Sequence, residues 1–160
     1  MNFSVIGVGS FGLKRAQAIK NSNKGKLLSF FDPNKTNADN AEKILKAKSC
    51  TLEEILADKK IDSICICTPN KFHKKIIIDG LKSGKSVFCE KPIATSLSEA
   101  EEIYEITKNY PKKLQIGSNH RYFESVKFAK KLIEGNEIGK VLSFSGRIGH
   151  NGERIKNTWF

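Results

Sequence analysis

Five short apolar runs alternate along the chain with longer segments of helical periodicity. The runs predict strands at residues 3–8, 27–31, 61–68, 86–89 and 114–117. The helical segments lie at about 10–22, 34–47, 51–58, 70–83 and 96–109. Strands that are continuously apolar are typical of a parallel sheet covered on both faces. Their alternation with helices therefore predicts an α/β fold with a doubly wound parallel sheet of the Rossmann type.

Residues that suit helix N-termini support these boundaries. They are Asp32-Pro33-Asn34, and two pairs with capping-box spacing, Thr51 with Glu54 and Ser96 with Glu99. Three of the five predicted helices therefore have a start signal of their own.

The charge of the chain does not by itself identify a partner. The 160 residues carry a formal net charge of +11, but the lysines are spread over the whole sequence, as is typical of solvated helix faces. The first strand and turn do not have the composition of a secretory signal, and no later run is apolar enough to cross a membrane. We therefore expect a cytoplasmic protein that binds neither nucleic acid nor membranes.

The cysteines argue against two kinds of stabilising site. Cys50, Cys65, Cys67 and Cys89 lie in or beside apolar runs, without a C-x-x-C pair or a matching cluster of histidines. This arrangement fits neither a zinc site nor a disulfide framework. We predict reduced thiols in the core and no metal site.

A glycine-rich turn joins the first predicted strand to the first predicted helix. Its residues, Gly7-Val8-Gly9-Ser10-Phe11-Gly12, fit the pattern G-x-G-x-x-G. The first glycine permits a tight turn, the second lets backbone approach a pyrophosphate, and the third lets helix and strand pack closely. The helix N-terminus adds N–H groups and the positive end of its dipole. We predict that Gly7, Gly9, Ser10, Phe11 and Gly12 bind a dinucleotide.

An aspartate ends the second predicted strand. Asp32 lies twenty residues after Gly12, where a carboxylate can accept hydrogen bonds from the hydroxyls of the adenosine ribose. A carboxylate there repels a 2′-phosphate, which favours NAD(H) over NADP(H), whereas the nearby Lys35 leaves NADP(H) as the less favoured alternative. Asp32 before Pro33 could also serve as a helix cap.

Three further segments follow in a recognisable order. They are CTPNKFH at 67–73, SGKSVFCEKP at 83–92 and GSNHRY at 117–122. Together with the glycine motif, this order resembles the Gfo/Idh/MocA family of NAD(P)-dependent oxidoreductases over essentially the whole chain. The resemblance implies a dinucleotide-binding domain at 1–122. It also implies that 123–160 begins a second α/β domain, which carries a sugar-like substrate and often the oligomer contact.

Lys91 is the predicted catalytic residue. In an open parallel sheet ligands bind at the carboxyl ends of the strands, and Lys91 follows the strand at 86–89. The resemblance implies that this lysine hydrogen-bonds the hydroxyl being oxidised and that the Lys91–Pro92 peptide is commonly cis. The alternative is a Glu90–Lys91 salt bridge on a surface turn.

The remaining candidates come from the same three segments. Thr68, Pro69 and Asn70 are predicted to line the pyrophosphate and nicotinamide-ribose side of the site, or else to form only a turn with Asn70 as a helix cap. His73 is either a cofactor neighbour or a packing residue. The resemblance also implies a cofactor contact for Asn119 and Arg121, which otherwise lie in a solvated loop. Glu90 and Lys91 are further predicted cofactor contacts.

The C-terminal part predicts a helix at 123–135 and an alternating strand at 140–150. The family's downstream segment, with an aspartate and a histidine that complete proton transfer, has no counterpart in the 160 residues. We therefore expect these residues alone to bind cofactor without turnover, and the full-length protein to be a homo-oligomeric oxidoreductase. It would act on a secondary alcohol of a sugar, cyclitol or nucleotide sugar. The alternative function is a non-catalytic NAD(H)-binding module.

Overall fold

The fold is built on six parallel strands. The computed structural model describes residues 1–147 and 149. The strands are β1 (Asn2–Ile6), β2 (Lys26–Phe31), β3 (Lys48–Ser49), β4 (Ser63–Ile66), β5 (Ser86–Cys89) and β6 (Leu114–Ile116). Their order across the sheet is β3-β2-β1-β4-β5-β6, and every neighbouring pair is parallel. The doubly wound Rossmann-like sheet is confirmed. The edge strand β3 was not predicted, because its two exposed residues have no apolar pattern.

In the part of the chain that the structure describes, six helices connect and follow the strands. They are α1 (Ser10–Asn21), α2 (Lys35–Leu45), α3 (Leu52–Ala57), α4 (His73–Lys82), α5 (Leu97–Thr107) and α6 (Glu124–Glu134). Short 3₁₀ turns at Asn70–Phe72 and Asn119–Tyr122 precede α4 and α6. The segment predicted as one helix at 70–83 is therefore a 3₁₀ turn followed by α4.

The sheet separates two hydrophobic cores. Successive strand residues point to opposite faces, so Val5 and Ile6 of β1 belong to different cores. One core joins Val5 and Phe30 to residues of α1 and α2. The other joins Ile6 to residues of α3, α4 and α5, among them Ile77 and Ile103. Burial on both faces explains why the strands are apolar without alternation, and it leaves the carboxyl ends of the strands for ligands.

The two predicted capping boxes differ in how well they agree with the structure. Thr51 and Glu54 form the predicted capping box. The other predicted box is only half correct: Ser96 accepts from the Glu99 N–H, but the Glu99 carboxylate accepts from the N–H and hydroxyl of Thr95. At Thr95 the Glu99 carboxylate finds two donors, the backbone N–H and the hydroxyl. In a capping box it would find only one, the backbone N–H of Ser96. The bonds from Thr95 also lower the pKa of Glu99.

Lys85 stabilises the end of the sheet remote from the glycine turn. Its side chain is buried, and Nζ donates to the carbonyls of Asp58 at 2.7 Å and Ile61 at 3.1 Å. Burial lowers the pKa of Lys85 below its usual 10.5, although Asp58 and Asp62 oppose the shift. Lys85 thus closes the loop between α3 and β4 at the cost of desolvating a charge.

We expect Lys85 to make stability depend on pH. The unfolded chain binds its proton more tightly than the fold does, so the free energy of unfolding should rise with pH between the lowered pKa and 10.5. Lys85→Met should remove this rise and cost about 1–3 kcal/mol, because two carbonyls lose their donor. Urea unfolding of both proteins across this pH range measures the effect, with the exposed Lys82→Met as control. Parallel pH profiles of the wild type and Lys85→Met would contradict it.

The chain divides into two units, Met1–Ser118 and a second that begins at Asn119. The second unit contains α6, as predicted, but the strand predicted at 140–150 is not present in residues 140–147. A strand needs a partner for its backbone hydrogen bonds, and the described part of the chain supplies none there. The rest of that prediction lies outside the described residues, and the domain boundaries at 1–122 and 123–160 stay a prediction.

Among the described residues, no helix is long and apolar enough to span a membrane.

Candidate dinucleotide site

The glycine turn is fitted tightly against the end of β4. Gly7 has a φ of +86°, and a Cβ built on it would lie 2.9 Å from the Cys67 carbonyl carbon and the Thr68 nitrogen. A Cβ on Gly12 would lie 1.8 Å from the Gly7 carbonyl oxygen. Both positions therefore require glycine for backbone packing.

Gly9 is different, because a Cβ built there meets nothing within 4 Å. Gly9 is the N-cap residue of α1 and has no side chain that could accept from the first N–H groups of the helix. The first turn of α1 contains no acidic residue. The first N–H groups of α1 and the positive end of its dipole are thus available to an anion. Ser10 and Phe11 are exposed in the same turn. The geometry gives Gly9 the role of leaving space beside the helix terminus.

Asp32 ties the end of β2 to this turn. Its carboxylate accepts from the Val8 N–H at 2.8 Å and from the Asn34 N–H at 2.9 Å. Asn34, and not Asp32, caps α2 by accepting from the Asn37 N–H. The alternative that Asp32 is the helix cap is therefore wrong. Asn37 Nδ2 also donates to both Asp32 oxygens, at 3.4 Å each. These two long bonds occupy the remaining lone-pair positions of the carboxylate, so ribose hydroxyls would take the place of the Asn37 amide.

Thr68 follows β4 and has an unusual hydroxyl. Its Oγ1 is buried and makes no hydrogen bond within residues 1–147 and 149. Buried polar atoms almost always have a partner, so this hydroxyl calls for an explanation. Pro69 is exposed, and Asn70 opens the 3₁₀ turn without capping α4, whose N-cap residue is Phe72. The alternative role of Asn70 as a cap is not observed.

His73 begins α4 and is almost completely buried. Its Nδ1 lies 2.8 Å from the Pro92 carbonyl oxygen, and its Nε2 lies 2.8 Å from the Thr68 carbonyl oxygen. With both ring nitrogens facing backbone, the side chain presents no polar atom to a ligand. The observed contacts are with the loops on either side and favour the packing alternative for His73. A cofactor contact by His73 stays a prediction.

Glu90 is paired, but not with its neighbour. Its Oε1 accepts from both Nε and a terminal nitrogen of Arg15 on α1, each at 2.6 Å. The Arg15 guanidinium also lies over the Phe88 ring. The alternative of a Glu90–Lys91 salt bridge is therefore wrong. Sequence reasoning missed Arg15, because the two residues are separated by 75 positions and no local pattern links them.

Lys91 follows β5 with its side chain exposed. The Lys91–Pro92 peptide is cis. Within residues 1–147 and 149, Lys91 Nζ has no hydrogen-bond or ion-pair partner, although Glu90 beside it is paired. A solvated ammonium at the carboxyl end of a central strand is positioned to meet a ligand.

The sheet brings three of the predicted segments to one edge. β1, β4 and β5 are neighbours, and their carboxyl ends lead to Gly7, Thr68 and Lys91. The strand order reverses between β1 and β4, where ligands of open α/β sheets bind. Asn119 and Arg121 are exposed in the 3₁₀ turn of the second unit. Their part in the site stays a prediction.

The residues at this edge fit a dinucleotide. Gly9 leaves space at an uncapped helix terminus, which suits a pyrophosphate. The Asp32 carboxylate can accept ribose hydroxyls in place of the long bonds from Asn37. The Thr68 hydroxyl, unpartnered among the described residues, can donate to the cofactor. Two surface clefts of about 450 and 360 Å³ lie elsewhere, and neither is lined by these residues. We base the assignment on the donor and acceptor groups, since a shallow strand-end crevice need not form an enclosed pocket.

Two thiols near the site have a raised pKa. All four cysteines are free, and the Cys65 and Cys67 Sγ atoms lie 3.7 Å apart. The hydrogen bond with Cys65, together with burial, raises the pKa of Cys67, and burial raises that of Cys89. Since the thiolate is the nucleophile, the raised pKa disfavours nucleophilic chemistry at Cys67 and Cys89.

Comparison with known proteins agrees with this geometry. Residues 1–118 match the family profile described as "Oxidoreductase family, NAD-binding Rossmann fold". The 2,7-anhydro-N-acetylneuraminate hydratase of Escherichia coli is 30% identical over 99% of this chain and 43% of its own length. The scyllo-inositol 2-dehydrogenase (NAD⁺) of Bacillus subtilis is 32% identical over 89% of this chain and 43% of its own.

A solved structure gives the same result. The scyllo-inositol dehydrogenase of Lactobacillus casei, solved with bound NAD(H) and scyllo-inositol, superposes with a TM-score of 0.81 at 26% identity. The match covers 88% of this chain and 42% of that one, so the chain spans less than half the length of these relatives. Because the profile covers most of the chain and coincides with the sheet and the glycine turn, the chain belongs to the Gfo/Idh/MocA family of oxidoreductases with an NAD-binding Rossmann fold.

Proposed function

We propose that the complete protein is an NAD-dependent oxidoreductase that transfers a hydride between the nicotinamide and a secondary alcohol of a sugar, cyclitol or nucleotide sugar. The observation that carries the proposal is Lys91, an exposed and unpaired lysine, among the described residues, at the carboxyl end of β5. The reported dehydrogenase relatives act on a cyclitol, which supports the substrate class.

The chain's own residues have separable tasks in this reaction. The cofactor supplies the hydride acceptor or donor when it is bound. The α1 N-terminus and Gly9 would hold the pyrophosphate, and Asp32 the adenosine ribose. Thr68, Pro69 and Asn70 would contact the nicotinamide-ribose side, as would Asn119 and Arg121. Lys91 would hold the substrate hydroxyl and stabilise the charge that develops on its oxygen as hydride leaves.

NAD(H) is the favoured cofactor because of the charges at the end of β2. The Asp32 carboxylate would repel a 2′-phosphate. Lys35, the residue that could favour NADP(H), forms an ion pair with Asp39 at 3.1 Å on the exposed face of α2. Its positive charge is thus partly neutralised, and its side chain would have to leave that pair to reach a phosphate.

Two further proposals concern the assembly of the protein and its compartment. Several large apolar side chains of the second unit are exposed, including Phe128, Leu142 and Phe144. Apolar surface of this kind calls for cover, either from the rest of the second domain or from a second copy of the protein, and the second of these is the homo-oligomer that we propose. Four free thiols suit a reducing compartment, which supports the cytoplasm.

Two other functions are separated by experiment. A non-catalytic module would bind NADH without turnover. A hydratase is favoured by one observation, the identity with the E. coli hydratase over nearly the whole chain. It would convert an anhydro-sugar without net accumulation of NADH, whereas the proposed oxidoreductase should accumulate NADH from NAD⁺ and a sugar or cyclitol.

The test begins with cofactor binding to the complete protein. We expect NADH to bind more tightly than NADPH, and Asp32→Ala to weaken NADH binding by about tenfold or more, since hydrogen bonds to a charged acceptor contribute about 1.5–3 kcal/mol. Fluorescence titration of NADH measures both, with Asp39→Ala as a control on the same side of the sheet. Equal NADH affinity in Asp32→Ala would remove Asp32 from the site, and tighter NADPH binding would overturn the NAD assignment.

A further inference from the structure

His73 connects two loops that the sheet itself leaves separate. The Thr68 loop comprises residues 67–70 after β4, and the Lys91 loop comprises residues 90–92 after β5. The last backbone hydrogen bond between these neighbouring segments runs from the Glu90 N–H to the Ile66 carbonyl. Beyond it, within the described chain, no backbone hydrogen bond joins the two loops. The two carbonyls that His73 faces belong one to each loop.

The strand register makes this bridge relevant to Lys91. Ile66 pairs with Cys89, so Thr68 and Lys91 each lie two residues beyond the paired ends of β4 and β5. His73 meets the Thr68 carbonyl directly and the carbonyl of Pro92, the residue next to Lys91. A displacement of either loop would change the distance between the buried Thr68 hydroxyl and the lysine side chain.

We propose that His73 is a positioning residue, which fixes the distance between the Thr68 loop and the Lys91 loop. The nicotinamide, bound at the first loop, and the reacting hydroxyl, bound at the second, are then held at the distance that hydride transfer needs. The proposal rests on the proposed function for the roles of Thr68 and Lys91. It does not rest on a ligand contact by His73, whose ring nitrogens both face backbone. Because both partners are acceptors, an N–H on either nitrogen donates to one loop.

This hydrogen-bond arrangement makes the two halves of the bridge separable by substitution. His73→Phe keeps a buried ring and removes both ring nitrogens, and with them the hydrogen bonding to the two carbonyls. His73→Asn keeps an amide donor near the Nδ1 position, on the Pro92 side. His73→Gln carries its amide further, toward the Nε2 position and the Thr68 carbonyl.

The experiment compares these variants in the complete protein, with Lys75→Ala as the control. Lys75 is an exposed residue of α4 that pairs with Asp79. We expect His73→Phe to lower kcat by about 10- to 100-fold, because a misplacement of about 1 Å at a reacting centre has effects of this size. His73→Asn should recover more of kcat, and His73→Gln more of the NADH affinity. Amide hydrogen exchange of residues 67–71 and 90–94 should be faster in cofactor-free His73→Phe than in the wild type.

A merely structural histidine gives a different result. A lower Tm in His73→Phe with wild-type kcat and exchange would overturn the proposal. Faster exchange with wild-type kcat would also overturn it, since the loops would then be joined for stability alone. If the wild type fails to bind NADH or turn over, the proposed function fails. The exchange rates of the cofactor-free proteins then still decide whether His73 holds the two loops together.

Discussion

Replacing Lys91 with methionine should lower kcat of the complete protein by about 10²- to 10⁴-fold, the range for loss of a positioned acid–base group. Methionine keeps the length and apolar stem of the side chain and removes the ammonium. Lys91 has no partner within residues 1–147 and 149, so the free energy of unfolding should change by no more than about 0.5 kcal/mol. NADH affinity should also change little, because the lysine acts on the substrate hydroxyl. Steady-state kinetics with NAD⁺ and a cyclitol or sugar measure the effect.

The control for Lys91 is the charge next to it. Glu90 is held by Arg15 at 2.6 Å and is largely buried, so Glu90→Gln should weaken the contact between α1 and the end of β5. It should reduce stability, because a salt-bridged carboxylate loses its charge while Arg15 remains. The two variants should therefore differ in stability: Lys91→Met lowers kcat with the free energy of unfolding nearly unchanged, whereas Glu90→Gln lowers the free energy of unfolding. The predicted cofactor contact of Glu90 stays a prediction. A folded Lys91→Met protein with kcat near that of the wild type would contradict the assignment.

The fold was predictable because its signals are local. The apolar runs, the glycine turn and the Thr51 capping box are each formed by residues that are close in sequence. The order of these signals along the chain is enough to predict a doubly wound sheet. The strand β3 escaped prediction because two exposed residues carry no period. The strand expected at 140–150 has the right alternation, but alternation alone does not supply a pairing partner.

The site was predictable only in part, for a physical reason. Gly7, Asp32 and Lys91 follow strands, and parallel strands end at the same edge, so their convergence can be inferred from sequence. The partners of Glu90 and His73 cannot be inferred from sequence, because they depend on how α1 and the two loops pack against each other at the end of the sheet. The sequence offered Lys91 as an ion-pair partner of Glu90 because the two residues are adjacent, whereas the observed partner is Arg15.

The second large effect is expected from adding a methyl group to a glycine of the turn between β1 and α1. Gly12→Ala places a Cβ 1.8 Å from the Gly7 carbonyl oxygen, and Gly9→Ala places one where nothing lies within 4 Å. The first clash involves backbone, which cannot move without separating α1 from β1. We therefore expect Gly12→Ala to reduce the free energy of unfolding by about 3 kcal/mol or more, as severe overpacking does, and to abolish NADH binding.

Gly9→Ala is the matched variant, with the same added methyl group three residues away. Its effect on unfolding should stay within about 0.5 kcal/mol, because the methyl group meets only solvent. NADH should nevertheless bind about tenfold more weakly or worse, since the methyl group occupies the approach of the pyrophosphate to the α1 N-terminus. Urea unfolding and NADH titration of both variants in the complete protein separate the two roles. Wild-type NADH affinity in Gly9→Ala would mean that the pyrophosphate lies elsewhere, and wild-type stability in Gly12→Ala would mean that the helix can withdraw from the strand at little cost.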